Sequence, residues 1–222
     1  MWDNSFITKD YVTRKERYEY FDALISNHFP QIKKILNIGG GGKRHLDKFL
    51  GDKIKVFEVD IDGDNDLNIN LDKINRLPFD NNQFDAVIAL DVLEHLENFH
   101  IILDEIKRIS SRLIFLSLPN CSKLFLNILL NKKRFREEEG YYFKYYGLPI
   151  KYPKDRHRWF CTIKDYEFFF LDYSKKNNLK ITLISHTRKK ILYRIACFFF
   201  SQRLVNEFFL NNVWIILEKK SF

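Results

Sequence analysis

Asp91, Glu94 and His95 sit at i, i+3 and i+4, so on one helical turn all three side chains point the same way. Carboxylate oxygens and an imidazole nitrogen gathered like this suit a divalent ion such as magnesium or manganese. His157, within Asp155-Arg156-His157-Arg158-Trp159-Phe160, would supply a fourth ligand. Without an ion, His95 and His157 are the candidate general bases, because imidazole titrates near working pH. The blander reading is that His95 braces a helix. A second constellation is the run Gly39-Gly40-Gly41-Gly42 after Ile35-Leu36-Asn37-Ile38. Consecutive glycines are unfavourable unless a turn needs positive φ or a close backbone approach. Here they stand between an apolar strand and an expected helix, Lys43 to Leu50, where helix N-terminal amides favour an anionic ligand. A plain tight turn is the competing reading. A further strand, Ile54 to Val59, leads to Asp60, twenty-one residues after Gly39, where a carboxylate can accept both hydroxyls of an adenosine ribose. The sixth position of a dinucleotide fingerprint counted from Gly39 is Arg44 instead of glycine, which argues against a nicotinamide or flavin enzyme.

These residues need a scaffold, and the hydrophobic pattern predicts one. Strands Lys34 to Ile38, Ile54 to Val59, Phe84 to Leu90 and Arg112 to Leu118 alternate with helices Lys43 to Leu50 and Phe99 to Ser110, with a short strand near Asp66 to Ile69. Thr162 caps a helix running to about Asn177, and strands Lys180 to Ser185 and Val213 to Glu218 follow, the last antiparallel. An N-terminal helix over 9–27 carries Tyr11, Tyr18, Phe21 and Ile25 at helical spacing, beside the cleft. The alternation gives an α/β class with ligands at the carboxyl ends of the strands, where Gly39, Asp60 and Asp91 lie.

With Leu77-Pro78-Phe79 leading to Phe84-Asp85, and Val92-Leu93-Glu94-His95 after the next strand, the glycine loop resembles that of class I S-adenosylmethionine (SAM) dependent methyltransferases. The matching stretch covers 34–120, and the branch is the one with a VLEH segment. The resemblance implies a Rossmann-like, seven-stranded, mostly parallel sheet with helices on both faces and a lid insertion after the fifth strand. It implies SAM as cofactor, with Asn37, Gly39, Gly40 and Gly41 at the methionine end and Asp60 on the ribose. Asp72, or Asn70 in a shifted register, would meet the adenine, and Ile61 and Asp91 complete the cofactor set. Asn37 stands where the family has an acid, and Lys43 where it has a third glycine. The Asp91, Glu94, His95 and His157 set is similar to that of the metal-dependent subset, seen among ubiquinone-type O-methyltransferases and enzymes acting on the 3′ ends of small RNAs. The stretch Tyr146-Gly147-Leu148-Pro149 to Phe160 and the Leu118-Pro119-Asn120 step resemble methyltransferases of bacterial surface polysaccharide assembly. This implies O-methylation of a sugar or phosphorylated precursor for capsule or lipopolysaccharide. An RNA methyltransferase and a non-catalytic SAM-fold binding protein are the alternatives.

The chain has 222 residues, 45% hydrophobic, enough for one sizeable core, and one domain over 1–222 is expected. It offers no apolar run long enough to span a bilayer and no signal-peptide pattern at its start, so a cytoplasmic protein is expected. Cys121, Cys161 and Cys197 lack metal-ligand spacing and read as reduced and structural. Residues 121–160 hold ten basic and four acidic groups, +6 of the net +8. This stretch lies in the lid insertion over 120–160, where Tyr145 and Tyr146 would stack on the acceptor while Arg156 and Arg158 grip its phosphate. A second insertion, 191–210, mixes phenylalanines with charge. A core or homodimer helix is the favoured reading, and a helix making peripheral membrane contact the alternative.

Overall fold

The computed structural model describes residues 8–9, 14–42, 44–50, 53–130, 156–187 and 190–220. The expected lid residues 131–155, with Tyr145 and Tyr146, lie outside them, as do Tyr11 and Lys43. The central strands β2 (Lys34–Ile38), β3 (Lys55–Asp60), β5 (Phe84–Leu90) and β6 (Ser110–Pro119) are parallel. Their β-branched and leucine-rich runs are buried on both faces, as parallel strands flanked by helices must be. The short β4 (Leu67–Asn68) pairs with β3 at one edge. At the other side β8 (Asn212–Lys219) runs antiparallel between β6 and β7 (Leu179–Thr187). The order β7-β8-β6-β5-β2-β3-β4 is the expected seven-stranded sheet.

An additional two-residue strand, β1 (Thr8–Lys9), pairs parallel with His186 and Thr187 at the sheet edge. Lys9 is therefore not helical, and α1 spans Arg14–His28 instead of beginning at residue 9. The helix after the glycines also starts late, α2 being His45–Leu50, because Arg44 takes a positive φ of 48°. Its guanidinium holds Asp64 at 3.1 Å and Asp66 at 2.9 Å. Helix α3 (Phe99–Ile109) covers one sheet face with Phe99, Ile102, Leu103 and Ile106, while Tyr18, Phe21 and Ile25 of α1 cover the other. The segment after β6 opens with α4 (Cys121–Leu130), and α5 (Ile163–Lys176) precedes β7. The second insertion is two helices, α6 (Lys190–Phe199) and α7 (Gln202–Phe209), broken where Ser201 caps α7 through the Leu204 amide. No helix among the described residues is long and apolar enough to cross a membrane. Chain order departs in opposite directions on the two sides of β2, towards β3 and towards β5. This is the switch point where open α/β sheets hold ligands.

Candidate active site

At the end of β2 the chain turns through Gly39, with φ of 75°, and Gly41, with φ of 82°. The Gly39 amide donates to the Val59 carbonyl at 2.8 Å, pinning the loop to β3. A Cβ on Gly39 would sit 2.2 Å from a Val92 methyl, so the loop lies directly against the segment after β5. Asp60, ending β3, accepts from the Gly41 amide at 2.6 Å through Oδ2 and from the Ile61 amide at 2.7 Å through Oδ1. Each oxygen retains a second lone-pair direction for a ligand hydroxyl. Tyr18 of α1 donates its hydroxyl to the Gly40 carbonyl at 3.4 Å, closing the wall opposite β3.

Beneath the loop lies a buried polar pair. Asn37 and Glu58 are register partners on β2 and β3, and the Asn37 amide donates to Glu58 Oε2 at 2.7 Å. Glu58 is 0% exposed, and burial pushes its carboxyl up to about 7 against the opposing pull of the Asn37 hydrogen bond. A Cβ on Gly40 would stand 2.2 Å from Glu58 Oε2 and 2.9 Å from Asn37 Nδ2, so a side chain here would displace the polar pair packed under it.

At the end of β5, Asp91 has a positive φ of 56°. Its carboxylate accepts from the Ser117 hydroxyl at 2.6 Å and pairs with Arg17 of α1 at 2.5 Å. This corrects the expectation of one helical turn carrying Asp91, Glu94 and His95. Asp91 is left-handed and Val92 (φ −126°, ψ −51°) lies outside the helical region, so the turn, a 3-10 turn, begins only at Leu93. Three of the four expected ligands do meet. One ligand atom each from Glu94, His95 and His157 lies within 4.8 Å of the others. The His95 and His157 ring centroids are 4.4 Å apart at an interplanar angle of 79°. His95 Nε2 is 3.8 Å from Glu94 Oε1, and Glu94 is 1% exposed.

The segment carrying His157 is fastened to that turn by backbone. The Arg158 amide donates to the Glu94 carbonyl at 2.7 Å, and the Trp159 indole donates to the Leu96 carbonyl at 2.7 Å. The Cys121 amide donates to the Cys161 carbonyl at 3.1 Å, tying the same segment to α4. Burial raises the Cys121 thiol to about 12 and the Cys161 thiol to about 11. Both therefore stay protonated at neutral pH, as structural cysteines do.

The remaining expected residues are scattered around the crevice. The Asp72 carboxylate accepts from the Glu97 amide at 2.9 Å, and Asn70 caps the Asp72 amide at 3.0 Å. Ile61 is 60% exposed at the end of β3. Arg158 pairs with Glu97 at 3.0 Å on the surface, and Arg156 is half-buried beside His157 in sequence. Arg17, Glu58 and Ser117 were not among the sequence candidates. Glu58 could have been found as an acid set between Phe57 and Val59 in the middle of a strand, directly opposite Asn37.

Residues 36–112 match the family described as a methyltransferase domain. A structure titled a SAM-dependent methyltransferase from Archaeoglobus fulgidus superposes with a TM-score of 0.60 at 14% identity, covering 93% of this chain and 95% of that one. The chain has the class I SAM-dependent methyltransferase fold. The small RNA methyltransferase HEN1 shares this fold with a TM-score of 0.57 at 15% identity, over 97% of this chain and 27% of that one. Magnesium protoporphyrin IX methyltransferase from Synechocystis PCC 6803, with bound SAH, gives 0.53 at 13% identity, over 96% and 90%. A comparison with curated protein sequences finds no match. The cofactor of this methyltransferase fold is S-adenosylmethionine, and the crevice fits it. The glycine turn presents backbone without side chains, and the Asp60 carboxylate stands one strand away at the end of β3.

Proposed function

We propose that the chain is an O-methyltransferase acting on a sugar or phosphorylated glycan precursor, of the kind assembled into capsule or lipopolysaccharide. The observation that carries the oxygen specificity is the convergence of Glu94, His95 and His157 immediately after the Val92 contact with the glycine loop. A hydroxyl acceptor must lose a proton as the methyl arrives, and these are the groups able to take or direct it. Gly39, Gly40 and Gly41 would hold the methionine end, Asp60 the ribose, and Ile61 and Asp72 the adenine side. Arg17, packed beside Asp91, adds a cation suited to the methionine carboxylate. The bound cofactor supplies an electrophilic sulfonium methyl. His157 and His95 then position the acceptor hydroxyl and accept its proton.

A divalent ion held by Glu94, His95 and His157 would supply a Lewis acid at the same place, and the mixed oxygen and imidazole donor set suits manganese or magnesium. Dialysis against a chelator should abolish turnover, with manganese or magnesium restoring it. Turnover unchanged by chelation would leave the histidines as bases alone. The phosphate-bearing acceptor is supported by the basic excess of residues 121–160 and by Arg156 and Arg158 next to His157. The decisive experiment offers SAM with nucleotide sugars and glycans and looks by mass spectrometry for the gain of one methyl. A second reading, RNA methylation, is favoured by the likeness to HEN1. It would show instead as methyl transfer to small RNA and binding that weakens steeply with salt. Absence of any binding heat with SAM would overturn both in favour of a non-catalytic fold.

A further inference from the structure

Helices α6 and α7 form a packed pair that turns one side to the core and a second apolar side to solvent. Tyr193, Ala196 and Val205 face inward, and the Tyr193 hydroxyl donates to Asn206 Oδ1 at 2.7 Å. The pair is anchored. Asn120 donates to the Glu207 and Leu210 carbonyls, both at 2.8 Å, and the Glu207 carboxylate accepts the Ile163 and Lys164 amides of α5. On the outer side, Ile191 is 76% exposed, Ile195 50%, Phe198 84%, Phe199 71% and Phe200 59%. Ile191, Ile195 and Phe198 follow helical spacing, so this is a stripe and not scattered surface apolars.

The charge along this stretch of sequence has one sign. From Tyr173 to Asn206 the sequence has eight lysines and arginines and no acidic residue. Arg194 on α6 and Arg203 on α7 are exposed beside the phenylalanines, while the next acid, Glu207, is committed to α5. A second copy docked through this face would bring the same basic residues together across a two-fold axis, which is unfavourable. A bilayer rich in anionic headgroups offers the opposite charge above and an apolar layer below. With 10 residues in α6 and 8 in α7, neither helix can span, so the pair would lie in the plane of the interface.

We propose that α6 and α7 are a peripheral docking face for an anionic lipid bilayer, with Phe198, Phe199 and Phe200 entering the acyl boundary and Arg194 and Arg203 at headgroup level. The inference rests on surface chemistry and stands independently of the methylation reading. The test is co-sedimentation of the full chain with phosphatidylcholine vesicles with and without phosphatidylglycerol. Sedimentation should require phosphatidylglycerol, fall at least about tenfold in a Phe198→Ser, Phe199→Ser double variant, and lose its salt sensitivity in Arg194→Gln, Arg203→Gln. A Phe198→Trp variant keeps the face apolar and reads insertion directly, since brominated acyl chains should quench its added fluorescence. A wild-type protein left in the supernatant with both vesicles would overturn the proposal. So would a dimer in light scattering that the double serine variant dissociates, or added fluorescence in the Phe198→Trp variant that is indifferent to brominated lipid.

Discussion

Glu58 places a carboxylate under the glycine loop from the strand beside the one that usually carries it. The resembling family has an acid at position 37; here Asn37 occupies that place and Glu58 answers it in register from β3. The exchange leaves a mark in the pH dependence of stability. In the unfolded chain the carboxyl titrates near 4.5, and in the fold near 7. Between those values the native state keeps a proton that the unfolded state has released, so this group's contribution to stability falls as pH rises through the window and is constant above it. The loss is on the order of 3 kcal/mol. Glu58→Gln, which can still pair with Asn37, should flatten the Tm profile between about pH 4.5 and about pH 7; parallel profiles for the two proteins would sink the assignment. At Asp60 the carboxylate orders the Gly41 amide, and in the proposed function it also receives the ribose hydroxyls, so on that reading its removal costs both roles. Asp60→Ala should weaken SAM roughly tenfold to a hundredfold in calorimetric titration, the range for hydrogen bonds to a charged group. An unchanged Kd would place the adenosine elsewhere.

At the scale of elements, α5 shows how one helix start is held by another helix. Its first three amides are all satisfied: Ile163 and Lys164 donate to the Glu207 carboxylate of α7, and Asp165 donates to the Thr162 hydroxyl in a capping box. Two charge-assisted bonds at the positive end of a helix make Glu207 worth more than a surface acid. Glu207→Ala should cost about 2 kcal/mol, a Tm loss of roughly 4–8 °C for a domain of this size, against about half that for Thr162→Ala. Scanning calorimetry of both variants checks this, and a Glu207→Ala no worse than Thr162→Ala would contradict it. The Thr162 cap was legible in the sequence because a threonine before an acid and an aromatic run has few other uses. Glu207 was not legible, since its partner lies 44 residues away. The strands bearing Gly39, Asp60 and Asp91 could be read because apolar runs of strand length stand between turn residues. What sequence spacing could not convey was backbone hand: a left-handed Asp91 turns its carboxylate to Arg17 and Ser117 while Glu94, His95 and His157 still meet. The pairing of β1 with β7 spans nearly the whole chain and involves two residues, too little pattern to detect.

The molecule as a whole is knit by alternation along the same strands. In β5, Val87 and Ala89 enter the cluster under α3, whereas Ala86, Ile88 and Leu90 enter the one under α1. In β8, Ile215 and Leu217 join the first and Trp214 and Ile216 the second. Because every central strand feeds both faces, stripping the helices from one side removes the support of the other, and the two clusters should unfold together. Trp214 is 0% exposed between Phe21 and Tyr20, with centroids 6.5 Å and 5.1 Å away, so in a Trp2→Phe, Trp159→Phe variant, where it is the remaining tryptophan, its fluorescence reports the α1 face. Far-UV circular dichroism reports both. We expect the two transitions to coincide on heating, and SAM at about a hundred times its Kd to raise both by roughly 5–10 °C, the shift that about 2.7 kcal/mol of linkage gives a domain of this length. The crevice explains why both must move: its walls are Tyr18 and Arg17 from the α1 side and Val92, held by the α3-side cluster, on the other. A fluorescence midpoint well below the dichroism midpoint, or one that SAM leaves in place, would mean that the α1 face is a separate folding unit and that the cofactor is gripped from one side only.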